Sequence, residues 1–458
     1  MSAQPVKVIS YPPADAAPTS PLNTSSDHGV IDDLFAKLAS DPMIQEREKN
    51  RQERVLGEIQ ELQRNKQWQD IVDLFYPVAE KEPDLVEFGL DVRLRREIAF
   101  ALGQLGKIDL ALEELDYCLV MEPNSFLVHS ALAFNYYRSL MAAANKEIFL
   151  LPAARKERLA KAHLHLQKAQ SLMPDRVTNF YREGKVYKDL ERNPEAALPL
   201  FAKAVSNWNG YSPEIRNTRT QERKNYIKAL YNLASCSLGQ GRNSVALEHM
   251  EQCIREDEKS GYVKSEHKYF ALGKTLFAMN SLDKARQALE CAATFIDPVE
   301  GNYIRELMGR VLLGLGEKEK AYATVASIPL KARRPFVCWT LADCLGALGR
   351  LPEAKNILVQ SAQRDRRSRH KSLLKLARIA YQEHDFAKVI QYGTEANQFH
   401  LETFTTIYAD GLFWVVGGYL ALGNIAEARN GIREIKIHRP RYPFLGKLEA
   451  AVAKAEKG

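Results

Sequence analysis

A recurring spacing constrains this chain more than any other feature. In "LGQLGKIDLALEELDYCLVMEPN" (102–124), Gly106, Ala111, Leu115, Cys118 and Pro123 follow one another at offsets of 5, 4, 3 and 5. The spacing returns at Gly241, Ala246, Met250 and Cys253 in "LGQGRNSVALEHMEQCIRED". A small residue stands seven positions before each turn residue: Ala99 before Gly106, Ala234 before Gly241, Gly273 before Asn280, Gly309 before Gly316, Ala342 before Gly349 and Val416 before Gly423. Ala377, His384, Val389 and Ala396 form a weaker copy, and Trp68, Ile71, Phe75, Val78 and Pro83 match the second half of an earlier one. Two antiparallel helices need small side chains where their backbones approach. The turn between them favours Gly or Asn, and Pro stops the second helix. One such pair cannot bury its own apolar face, but a stack of pairs can.

The pattern resembles the tetratricopeptide repeat, a helix–turn–helix unit of about 34 residues. The resemblance covers most of residues 50–442 in about ten units. It implies an all-α fold, a right-handed α-solenoid of antiparallel helix pairs. No segment shows sustained strand alternation. Residues 1–30, rich in Pro, Ser, Thr and Ala, are predicted to be a disordered tail. The array is predicted over 31–442, with a capping helix at 443–458. Pro123 and Pro174 occupy equivalent positions but lie 51 residues apart, an excess of 17 over the repeat. The extra length falls near 141–157 and is expected to lengthen both helices or add a short one; the residues leave its role open among a hinge, a lid and a dimer contact. A second departure, the polar connector 207–225, separates two units.

At 458 residues, a repeat array or several domains is expected rather than one core. A net charge of +7 is mild for this length and does not by itself imply nucleic acid. The N-terminus lacks the apolar stretch of a secretory signal. The most apolar run, "GLFWVVGGYLALG" (411–423), is too short to span a bilayer, so a cytoplasmic protein without a membrane span is expected. The six Cys show no paired spacing and read as reduced packing residues.

Catalytic motifs are wanting, and a non-enzyme without cofactor or metal is expected. "LGKT" (272–275) ends like a phosphate-binding loop, but Lys268 stands where that motif needs its first Gly. His163 and His165 are two residues apart, which puts them on different helix faces; they read as solvent-facing or interfacial.

In the family that the spacing resembles, the first helix of each unit lines a concave groove. Its groove-facing register selects Arg93, Arg96, Tyr137, Arg138, Tyr181, Lys185, Lys188, Lys228 and Tyr231 in the first half. It selects His267, Phe270, Lys274, Phe277, Arg310, Lys371, Arg378 and Tyr381 further on. Acids there are few, chiefly Asp189, Glu306, Asp343 and Asp410. A basic, aromatic-lined groove suits an acidic or extended partner segment. The carboxylate clamp of chaperone-tail-binding members needs an Asn that no ninth position supplies here. The expected role is a scaffold or adaptor for a protein partner, with the oligomeric state open.

One charge run stands apart. Residues 364–378 hold seven basic residues against Asp365. Arg364, Arg366, Arg367 and Arg369 are its N-terminal part, and Lys331, Arg333 and Arg334 occupy the related turn one unit earlier. A basic edge of this kind makes a nucleic-acid-associated protein the alternative reading.

Overall fold

The computed structural model describes residues 41–456 apart from Pro298. The expected tail at 1–30 lies outside the described residues. Helix follows helix throughout, and no strand occurs among the described residues. No helix among them is long and apolar enough to cross a membrane. The chain divides into two compact units, the first ending at Pro174 and the second starting at Asp175.

The first unit contains α1 (Pro42–Arg64), α2 (Trp68–Phe75), α3 (Val78–Lys81), α4 (Pro83–Glu87), α5 (Val92–Gln104), α6 (Ile108–Met121), α7 (Phe126–Ala144) and α8 (Pro152–Leu172). Helices α5 and α6 form one packed pair and α7 and α8 the next. Ile98, Leu102, Leu115, Leu132, Leu140 and Leu166 are buried between them. The excess length near 141–157 sits in α7 and α8, of 19 and 21 residues, against 13 and 14 in α5 and α6. A buried ionic cluster joins the first pair: Arg95 donates to Asp91 at 2.5 Å and to Glu114 at 2.7 Å. In the second pair His165 takes the interfacial of its two expected settings and is buried. Its Nδ1 lies 2.9 Å from His129 Nδ1, and its ring stacks on Tyr136.

The second unit begins with α9 (Val177–Lys185), which runs into a π-turn at Val186–Leu190. There follow α10 (Pro194–Asn209), α11 (Pro213–Thr218), α12 (Thr220–Gly239), α13 (Asn243–Glu256), α14 (Ser265–Ala278), α15 (Leu282–Ala293), α16 (Asn302–Gly314) and α17 (Lys318–Ala326). Then come α18 (Pro335–Ala347), α19 (Leu351–Arg364), α20 (Arg369–Gln382), α21 (Phe386–Phe404), α22 (Ala409–Ala421), α23 (Ile425–His438) and α24 (Leu445–Ala455). The pairs α9/α10, α12/α13, α14/α15, α16/α17, α18/α19, α20/α21 and α22/α23 stack in succession. The connector 207–225 holds the short α11. Its N-cap Ser212 accepts from the Ile215 N–H. Leu445, Leu448 and Val452 of α24 close the last pair's apolar face.

The turn residues explain the spacing. Gly106, Gly241, Gly316, Gly349 and Gly423 all have φ between 73° and 81°, the left-handed region that glycine enters without steric cost. Asn280 and His384 adopt φ of 57° and 60° at the equivalent turns. The small residues explain the close approach. A Cβ on Gly309 would lie 2.1 Å from Val325 Cγ2, and one on Gly184 would lie 2.6 Å from the Phe201 ring. The recurring Cys is a packing residue with a hydrogen bond. Cys118 Sγ donates to the Val92 carbonyl at 3.5 Å and Cys253 Sγ to the Ile227 carbonyl at 3.6 Å, each 26 residues back on the first helix of its pair. Burial pushes both thiols up to about 12, so neither is a thiolate at neutral pH.

Candidate partner-binding groove

Helices α12, α14, α16 and α18 are the first helices of four successive pairs. Together they line one pocket of about 600 Å³. Its walls are Phe270, Lys274 and Phe277 from α14 and Tyr303, Glu306 and Arg310 from α16. Ser235 and Leu238 of α12 flank one side and Phe336 of α18 the other. Four of the residues selected by the sequence register, Phe270, Lys274, Phe277 and Arg310, therefore meet here.

Two aromatic contacts hold the walls. Phe270 and Tyr303 meet edge to face at 4.7 Å, and the Arg310 guanidinium lies over the Phe277 ring at 4.8 Å. Lys274 and Arg310 are exposed, and neither forms an ion pair among the described residues. Glu306 lies low in the pocket and is buried. Burial raises its pKa, and the hydrogen bond from the Thr340 hydroxyl pulls it part of the way back. The pocket thus has an apolar body, a cationic rim and one deep acceptor.

Tyr303 and Phe336 were not selected from the sequence, although each stands six residues before its unit's small residue, Gly309 and Ala342. That is the same register as His267 before Gly273. His267 itself is exposed on α14 outside the pocket lining.

The remaining register residues fall into other settings. On α9 and its π-turn, Lys185 pairs with Asp189, and Lys188 donates to Asn232 Oδ1 of α12 at 2.6 Å. Burial lowers the pKa of Lys188 and of half-buried Lys228, and neighbouring lysines lower both further. Tyr181 packs its ring 6.1 Å from Phe201, and Tyr231 packs against the core of this region. Further along, Lys371 lies over the Trp339 ring at 5.4 Å. Arg378 is paired with Asp343 at 2.6 Å, and Tyr381 contacts Phe386 and Trp414. In the first unit Arg93 pairs with Glu53 and Arg96 with Glu97 at 3.5 Å. Tyr137 is half-buried, and so is Arg138, whose pKa burial lowers.

On the basic edge, Arg333 and Arg364 line one small pocket of about 180 Å³. Arg333 is occupied: it donates to the Ile328 carbonyl at 2.9 Å and the Ala326 carbonyl at 2.8 Å, satisfying the end of α17. Arg369 lies 3.8 Å from Glu395. Lys331, Arg334, Arg364, Arg366 and Arg367 make no ion pair among the described residues, and all five are exposed. Asp365 does not neutralise them directly, because it accepts the backbone N–H groups of Arg367 and Ser368 at 2.9 Å.

Stacked antiparallel helix pairs with small residues at the crossings and left-handed turns between them define a helical-repeat protein. A family model of the tetratricopeptide repeat matches residues 227–260, which span most of α12, all of α13 and the start of the loop before α14. The chain therefore carries a tetratricopeptide repeat at 227–260, inside a succession of helix pairs of similar spacing. The fold supports a protein–protein interaction scaffold, and repeat proteins of this class are in general non-catalytic.

Several solved structures resemble it. One is the structure of Naa15/Naa10 bound to HypK-THB, at 13% identity and a TM-score of 0.43, covering 88% of this chain and 69% of that one. Another is a human IFIT1 dimer with PPP-AAAA, at 14% identity and a TM-score of 0.40, covering 86% of this chain and 88% of that one. A third is PilW, a type IV pilus biogenesis factor, at 16% identity and a TM-score of 0.38, covering 51% of this chain and 90% of that one. None of these likenesses bears on a partner for this chain. No curated protein matches the sequence.

Proposed function

We propose that the protein is a non-catalytic scaffold that holds an acidic, partly apolar segment of a partner protein in the pocket formed by α12, α14, α16 and α18. One observation carries this reading: Lys274 and Arg310, exposed and without an ion pair among the described residues, stand over an apolar pocket built by Phe270, Phe277, Tyr303 and Phe336. Apolar anchors in such a pocket supply affinity, and carboxylates set beside the two cations supply register. The deep Glu306 accepts a hydrogen bond from a backbone or side-chain donor of the bound segment.

A second reading has phosphates docking on the basic edge. It is supported by five exposed cations, Lys331, Arg334, Arg364, Arg366 and Arg367, without ion pairs among the described residues.

The two readings separate in a pull-down from nuclease-treated lysate of the source cells. Three baits are compared: the wild type, Lys274→Glu/Arg310→Glu, and Arg364→Glu/Arg366→Glu/Arg367→Glu. The groove reading expects a partner that survives nuclease, disappears with the first variant and stays with the second. Loss on nuclease treatment and with the second variant instead makes the edge the functional surface.

A further inference from the structure

We infer that the turn between α7 and α8 is a peripheral docking element for an anionic lipid surface. The turn is the tip of a hairpin whose helices are six and seven residues longer than their counterparts in the pair before it. Every residue from Ala144 to Ala153 is exposed except half-buried Leu150. Its sequence at 147–152 is "EIFLLP". Phe149 is 84% exposed, Leu151 63% and Ile148 39%. Scattered exposed apolar residues need no explanation, but three in four positions at a protruding tip do.

The charges around the tip identify what covers it. Residues 145–161 carry five basic side chains, Lys146, Arg155, Lys156, Arg158 and Lys161, against Glu147 and Glu157. Lys146, Arg155 and Lys156 are exposed and make no ion pair among the described residues. Arg158 is held by Asp109 at 2.6 Å, and Lys161 by Glu157 at 2.8 Å. An apolar tip inside a cationic collar matches the interfacial zone of an anionic bilayer. The Phe and Leu side chains enter the acyl boundary, and the ammonium and guanidinium groups stay among the headgroups. A groove-binding peptide or a flat protein face would need a concave or extended surface, and these residues form a short projecting turn. The docking is peripheral and adds no membrane-spanning helix to the fold.

The test is flotation of the full-length protein with vesicles of phosphatidylcholine alone and of equal parts phosphatidylcholine and phosphatidylglycerol. Two variants accompany the wild type, Phe149→Ser/Leu151→Ser and Arg155→Glu/Lys156→Glu. All four side chains are exposed, and circular dichroism verifies that both variants fold. The wild type is expected to float with the anionic vesicles and not with the neutral ones. Each variant should lose about tenfold or more of that partition. Three results overturn the inference: no flotation of the wild type, flotation undiminished in Phe149→Ser/Leu151→Ser, or a concentration-dependent dimer of the wild type that this same variant abolishes.

Discussion

Replacing Asp257 with alanine should unfasten the element that carries the groove. Asp257 is fully buried at the end of α13. Its carboxylate accepts from Lys268 Nζ at 2.9 Å, from the N–H groups of Tyr262 at 2.7 Å and Val263 at 2.9 Å, and from the Ser260 hydroxyl at 2.9 Å. These bonds fix the loop that leads into α14, and α14 presents Phe270, Lys274 and Phe277. Lys268 is only 3% exposed, and after the substitution its remaining partner is the Asp257 carbonyl at 3.3 Å. Breaking a buried pair by removing one member costs about 3–5 kcal/mol, mostly from the stranded charge. The orphaned loop N–H groups add to this unless the loop opens and water reaches them. Urea unfolding followed by circular dichroism measures the loss, and hydrogen exchange reads the loss of protection at Tyr262 and Val263. A destabilisation below about 1 kcal/mol with protection unchanged would mean that the Asp257–Lys268 pair does not hold this loop. Acid should mimic the substitution. Burial opposes ionisation of Asp257, but Lys268 and the loop donors outweigh it and hold the carboxyl below its usual range. Its contribution is therefore complete above the unfolded pKa of about 4 and is lost as pH falls through the folded value.

Gly309→Ala should destabilise by about 1–3 kcal/mol, because the new Cβ would overlap Val325; adding Val325→Ala should recover part of that in thermal denaturation. His384→Gly should stabilise by about 0.5–1 kcal/mol by relieving a left-handed non-glycine turn, whereas Gly316→Ala at the equivalent turn should destabilise by a similar amount. Burial, with His129 beside it, depresses the His165 pKa to about 4, so the ring is neutral in the fold. The unfolded chain takes up that proton near pH 6.5, so stability is full above about pH 6.5 and declines towards pH 4; burial depresses His370 to about 4 as well and lowers His249, so chemical denaturation across that range should show a summed slope that His165→Phe reduces without abolishing.

The architecture was legible because its determinants are local. A turn that needs a left-handed residue announces itself as Gly106 or Gly316, and a close crossing announces itself as Gly309 facing Val325. The groove was legible in part. The register found Phe270, Lys274, Phe277 and Arg310, which share one pocket. Pairing between distant residues was not legible. Arg378 reads as a free groove cation until Asp343, 35 residues away, is seen to neutralise it. Arg333 reads as part of a basic edge until its guanidinium is found on the carbonyls ending α17. Lys268 reads only as the wrong residue for a phosphate loop, yet it is half of a buried ion pair. His165 reads as solvent-facing or interfacial, and a local pattern does not choose between the two because it does not reveal the ring of His129 across the α7–α8 hairpin.

In the proposed groove, Lys274 and Arg310 select carboxylates beside apolar anchors. The most direct test is selection of a random peptide display library on the immobilised full-length protein, run in parallel on Lys274→Glu/Arg310→Glu. The wild type should enrich peptides in which Asp or Glu flanks an aromatic or aliphatic residue. The charge-reversed protein should enrich Lys or Arg at those same positions while keeping the apolar residue. An unchanged consensus in the reversed protein, or no acidic enrichment by the wild type, would mean that these two cations do not select the bound segment.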